Sequence, residues 1–70
     1  MTRWQPDGNP SPGFVRDYAR AYGAAVYSPR HGRWWWALIA GPRAIAGGHV
    51  ATCDEAQGAC DVAAERLGVA

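Results

Sequence analysis

Arg33-Trp34-Trp35-Trp36-Ala37-Leu38-Ile39-Ala40 is the stretch on which the fold turns. Side chains along a strand alternate between its two faces, so three consecutive Trp cannot share one side. Trp34, Trp36 and Leu38 point one way; Arg33, Trp35, Ala37 and Ile39 point the other. Immediately before this run, Pro29-Arg30-His31-Gly32 has the composition of a hairpin turn, and Ala24 to Tyr27 before it reads as a first strand. Immediately after it, Gly41-Pro42-Arg43 makes the next turn, and Ala44 to Ala51 reads as a third strand. Gly47-Gly48 marks either a bulge or a close approach of backbone there.

Beyond the third strand, Thr52-Cys53-Asp54-Glu55 is a capping box, in which Thr52 and Glu55 satisfy each other's free backbone N–H groups at a helix start. Asp54 and Glu55 also suit the positive end of the helix dipole. The helix runs to about Leu67, with Gly68 as its stop. Its apolar stripe of Ala56, Ala59, Cys60, Ala63 and Leu67 is narrow and mostly small, which lets it lie close to a sheet that carries large indoles.

On the other side of the hairpins, residues 1–13 hold Pro6, Asp7, Gly8, Asn9, Pro10, Ser11 and Pro12, a composition that suits neither helix nor strand and predicts an irregular arm. Trp4 stands alone in that arm, to dock on the domain or to meet a partner. Ser11 followed by Pro12 reads as an N-cap with Pro at the first helical position. Phe14, Val15, Tyr18, Ala21 and Tyr22 then fall near helical spacing, predicting a short N-terminal helix that stops at Gly23, although Tyr22 equally suits the start of the first strand. The expected fold is α+β: a three-stranded antiparallel sheet packed against a C-terminal helix, with a short N-terminal helix, in the order α-β-β-β-α. Residues 14–70 form its single domain.

At 70 residues and 7.5 kDa the chain has room for one thin core, whose bulk comes from four Trp, three Tyr, Phe14 and a few aliphatics. Domains of this size often gain stability from dimerisation or a partner. The net charge of +1 is too small to imply nucleic acid or an anionic membrane. Its distribution is polarised: Arg3, Arg16, Arg20, Arg30, Arg33 and Arg43 precede residue 52, whereas Asp54, Glu55, Asp61 and Glu65 follow it against Arg66 alone. No apolar run approaches the roughly 20 residues of a membrane span, and no signal-peptide layout opens the chain. A cytoplasmic protein is expected, and the Ala-rich, Lys-free composition suits a GC-rich bacterium or its phage.

No constellation of catalytic residues stands out. Cys53 and Cys60 lie seven apart on one helix, separated by roughly 10 Å of rise. That is too far for a disulfide, or for a shared zinc whose sulfurs lie within about 4.6 Å of each other. His31 in a turn and His49 in a strand have no Ser, Cys or carboxylate at a spacing that suggests a triad. Asp54, Glu55, Asp61 and Glu65 read as the wet face of the helix. No metal, cofactor or small-molecule substrate is implied, and no enzyme.

From Val26 to Leu67, about sixty per cent of the chain, the residues resemble the plant apetala/ethylene-response-factor type of DNA-binding domain, whose relatives occur in phage-type integrases and homing nucleases. The resemblance rests on Gly32-Arg33-Trp34, Leu38, Gly48, and Thr52, Glu55, Ala56, Ala59, Asp61, Ala63 and Ala64. It implies that the outer sheet face, through Arg33, Trp35, Ala37 and Ile39, would meet DNA in the major groove. Most contact positions of that family are replaced: Ala24, Tyr27 and Pro29 stand where Arg is usual, and Ala37, Ile39, Ala44 and Ala46 stand for charged or aromatic residues. The expected element order also resembles the double-stranded-RNA-binding domain, but Cys53, Asp54 and Glu55 put the wrong charge where that fold grips phosphate.

A face reading Tyr27, Trp35, Ala37, Ile39, Ala44 and Ala46 is apolar rather than basic, and an exposed apolar patch marks a binding surface. The candidate binding residues are Tyr27, Arg30, Arg33, Trp35, Ile39 and Arg43. Protein contact, by self-association or with a partner, is favoured over DNA binding by the basic turns and Arg3 of the arm. The N-terminal helix with Phe14 and Tyr18, a second copy, or a foreign partner could each cover Trp35.

Overall fold

Backbone N–H and C=O groups need partners, and the computed structural model, which describes residues 3–8 and 12–70, meets that need with more strand than the helical spacing of residues 14–22 suggests. The elements run β1 (Gln5–Pro6), β2 (Gly13–Asp17), β3 (Tyr22–Ser28), β4 (Arg33–Ala40), β5 (Arg43–Val50) and α1 (Cys53–Arg66). The strands form one antiparallel five-stranded sheet in sequence order, β1-β2-β3-β4-β5. This corrects the three-stranded expectation, and the N-terminal helix is replaced by β2.

The physical reason lies in a second periodicity. Phe14, Arg16 and Tyr18 alternate with Val15 and Asp17, so the segment suits a strand as well as a helical turn. A lone helix of about ten residues is marginal in water, whereas pairing β2 with β3, Phe14 opposite Ala25 and Arg16 opposite Gly23, satisfies its backbone. The expected Ser11 cap lies outside the described residues. Within the stretch expected to be an irregular arm, Gln5 and Pro6 pair with Val15 and Phe14, and Trp4 packs on the core.

Residues paired across the sheet share a face. Tyr27 is opposite Trp34, Ala25 opposite Trp36, and Gly23 opposite Leu38; these residues look toward α1, which packs on β3, β4 and β5. Leu38, Cys60 and Ala64 are fully buried there, with Trp4, Tyr18, Ala21, Trp36, Ala46, Ala63 and Val69 packed around them. Toward one end of the same face, Trp34 meets Tyr27 at 5.5 Å and Phe14 at 6.4 Å between ring centroids.

The bulge falls at Ile45 rather than at the paired glycines: Ala46 lies opposite Leu38 while Ala44 lies opposite Ile39, leaving Ile45 as the extra residue. Gly48 is instead a close approach, since a Cβ there would sit 3.1 Å from the Trp36 indole nitrogen. Gly32 and Gly41 close the two central hairpins with φ of 62° and 59°, a region costly for residues with a Cβ.

Thr52 caps α1 by accepting the Glu55 backbone N–H at 3.2 Å. At the other end Leu67, expected in the apolar stripe, is 51% exposed. The chain turns at Gly68, with φ 71°, and docks Val69 on the core in its place. The Val69 carbonyl accepts the Arg20 N–H at 3.0 Å, tying the terminus to the loop between β2 and β3.

Candidate functional site

Alternation and register together lay out the face turned away from α1. One row across it runs Gly13, Val26, Trp35, His49; the next runs Gln5, Val15, Ala24, Ala37, Gly47; a third runs Asp17, Tyr22, Ile39, Ala44. Small residues fill the centre, and the aromatic Trp35 and Tyr22 stand on flanking rows. Trp35 is 39% and Tyr22 40% exposed, and Val15, Val26 and Ile39 are half-buried. None of the described elements packs against this face, because Phe14 and Tyr18, two residues that could have covered Trp35, belong to the opposite side.

The six candidate residues are not brought together. Trp35 and Ile39 share the outer face as expected, and Arg33 begins the same strand, exposed beside Ser28. Tyr27 belongs to the helix side: its pairing with Trp34 turns it inward, as the 5.5 Å ring contact confirms. Ala46 is likewise opposite Leu38 and faces α1. Arg30 is exposed in the β3–β4 turn, where the Ser28 hydroxyl and His31 Nδ1 lie 3.1 Å apart. Arg43 is exposed at the far end of the sheet, paired with Ala40. Between Arg33 and Ala40 the strand advances roughly 23 Å at about 3.3 Å per residue, so the cations flank the face at opposite ends. Val15, Tyr22 and Val26 are the face residues that the sequence reading missed, whereas Ala24, read there as a contact position, does lie on this face. The period-two alternation of residues 13–17 was the signal that could have found Val15.

A polar cluster lies at the other side of the molecule. The Arg16 guanidinium donates to Asp61 Oδ1 at 2.9 Å, the Tyr18 hydroxyl donates to the same oxygen at 2.5 Å, and Trp4 Nε1 approaches Oδ2 at 3.5 Å. Arg16 also sits 5.0 Å over the Tyr18 ring. Asp61, expected on the wet face of α1, thus joins the residues before β1, β2 and the loop after β2 to the helix. Burial, and then the hydrogen bond to Asp61, hold the Tyr18 hydroxyl well above the ordinary phenol range. Burial also pushes the Cys60 thiol up, opposed by the Tyr18 hydrogen bond, and that thiol points at the Ala37 carbonyl, 3.7 Å away. Cys53 at the helix start is raised as well, by burial and by the charge of Asp54. A thiol or phenol held in its protonated form is a poor nucleophile or base, and the hydrogen bonds of this cluster clasp the strands to the helix.

Among the described residues no group of three or more His, Cys, Asp or Glu is placed to hold a metal ion, and no helix is long and apolar enough to cross a membrane. Compared with models of known protein families, with curated proteins and with solved structures, the chain matches none.

Proposed function

We propose that this chain is a non-enzymatic binding module that works through protein contact on the outer sheet face, with Trp35, Ile39, Tyr22 and Val26 as its anchors. One observation carries the proposal: a face whose centre is apolar and small, with Gln5, Asp17 and His49 at its margins and two aromatic side chains about two-fifths exposed, that none of the described elements covers. Aromatic anchors contribute most of the energy at protein interfaces, and a flat patch of this kind leaves water on Trp35 until a partner removes it.

Binding to DNA is the competing reading, carried by Arg30, Arg33 and Arg43 with Arg3. Its weakness is geometric, because Arg30, Arg33 and Arg43 stand at the ends of the face and its centre holds Ala24, Ala37 and Gly47. Affinity for duplex DNA comes chiefly from phosphate contacts that release counterions.

Two measurements separate the readings. Light scattering after size exclusion, over a range of concentrations and with candidate partners added, should report a complex that Trp35→Arg abolishes while the circular dichroism of the variant is unchanged. Binding of random duplex DNA that weakens steeply with salt and is lost in Arg33→Ala would replace the protein-contact reading with the other.

A further inference from the structure

The two edges of the sheet are unequal. One ends in β1, two residues long and including Pro6, which has no N–H to offer a further strand. The other is β5, eight residues long, the outermost strand of the sheet. Stable monomers blunt such edges with Lys, Pro, inward-turned charge or bulges. β5 has neither Lys nor Pro. Its formally charged residue, Arg43, stands at one end, and its bulge at Ile45 lies toward that same end, leaving Ala46 to Val50 regular. On the helix side a groove of about 340 Å³ opens, lined by Trp36, Gly58, Ala59, Val62, Ala63 and Arg66. Val62 is 53% exposed and Ile45 37% exposed.

We propose that β5 pairs antiparallel with β5 of a second copy, joining the two sheets into one about a twofold axis through Gly47. In the fully overlapped register Arg43 lies opposite Val50, Ala44 opposite His49, Ala46 opposite Gly48 and Gly47 opposite itself, with Ile45 left over at the bulge, so that every pair shares a face. Two features of the sequence make the edge complementary to itself. The smallest residues meet at the axis, where two backbones must approach. Val50 leads through Ala51 and Thr52 directly into the acidic first turn of α1, so each Arg43 arrives beside Asp54 and Glu55 of the other copy. The charge match occurs twice by symmetry, and no like charges are opposed. A foreign strand could use the same backbone groups, but the second copy brings the matching acid with it.

The pairing also closes. A twofold contact uses both β5 edges and leaves the Pro6-blunted β1 edges outermost, so assembly stops at two. Both helices then lie on one side of the joined sheet, and both outer faces form one continuous surface on the other.

Sedimentation equilibrium of the intact chain, from micromolar to millimolar concentration, provides the test. The expected result is a reversible dimer of the 7.5 kDa chain, together with amide protection along β5 that rises with concentration. Ile45→Lys, which places a charge at the exposed bulge, should yield a folded monomer. Arg43→Glu should weaken the dimer about tenfold, since it turns two exposed attractions into repulsions, and Arg43→Glu combined with Asp54→Arg should recover it. A chain that stays monomeric throughout overturns the proposal. So does a dimer indifferent to both β5 substitutions; if Trp35→Arg dissolves that dimer, the contact belongs to the outer face, and the proposed function survives while the β5 seam does not.

Discussion

Gly23 sits where three side chains converge. A Cβ at this position would lie 2.8 Å from the Cys60 sulfur, 2.8 Å from the Tyr18 ring and 3.1 Å from the Trp4 ring, none of which can retreat without disturbing the Asp61 clasp or the core. Gly23→Ala should therefore cost about 1–3 kcal/mol, the usual penalty of overpacking, read as a lower midpoint in urea with an unchanged slope. A fully tolerated Ala would mean that Cys60, Tyr18 and Trp4 do not converge on this site. The same crowding produces a pH dependence. Cys60 and Tyr18 both have raised pKa values in the fold, above the ordinary 9.0 of a thiol and 10.0 of a phenol. Above those values the unfolded chain gives up protons that the folded chain retains, so stability falls as pH rises, by at most about 1.4 kcal/mol per pH unit for each group. The decline should begin near pH 9 with Cys60 and Cys53 and steepen near pH 10 with Tyr18. Cys60→Ala should reduce the first part, leaving the share of Cys53, and Tyr18→Phe should remove the second. Denaturation midpoints that stay level from pH 8 to about 11 in the parent chain would contradict the buried placement of both groups.

At the scale of elements, what the sequence discloses depends on how many of its signals agree. For β4, alternation, flanking turns and aromatic content all indicate a strand over Arg33–Ala40, and the structure has one with those bounds. For α1, the capping box specifies the start, and Thr52 accepts the Glu55 N–H as the pattern requires. Thr52→Ala should cost about 1 kcal/mol, visible as a lower thermal midpoint, and Thr52→Ser should restore most of it. At β2 two periodicities compete: Phe14, Tyr18 and Tyr22 suit a helix, while Phe14, Arg16 and Tyr18 suit a strand. The outcome depends on the vacant edge of β3, a tertiary fact with no local signature. Tyr27 was misplaced for a different reason. Its face follows from the register of the β3–β4 hairpin, and the turn Pro29 to Gly32 already implies that register, Ser28 opposite Arg33 and Tyr27 opposite Trp34 on the helix side, once the strands are paired across it. The outer face was thus legible at Trp35 and Ile39, where alternation within one strand suffices. It was illegible at Val15 and Tyr22, whose place depends on strands that must first be paired.

For the whole molecule, the N-terminal segment performs two separate tasks. Trp4 packs on the core beside Gly23 and reaches Asp61, while Gln5 and Pro6 pair with β2 and present a prolyl edge to solvent. The tasks can be separated by substitution. Trp4→Ala removes a half-buried indole but leaves β1 in sequence, and should lower stability by about 2–3 kcal/mol, somewhat less than for a fully buried Trp, without changing the mass in solution. Deleting residues 1–8 removes both the indole and the blunt edge, so β2 becomes an outermost strand with its backbone groups open. If β5 already joins two copies, the deletion provides each dimer with two further open edges, and closed assembly becomes open-ended. Light scattering should then report masses that climb beyond two chains with concentration, while Trp4→Ala at equal or lower stability remains at two. Growth in both variants alike would trace the larger species to partial unfolding, and growth in neither would show that β1 is not what terminates the sheet.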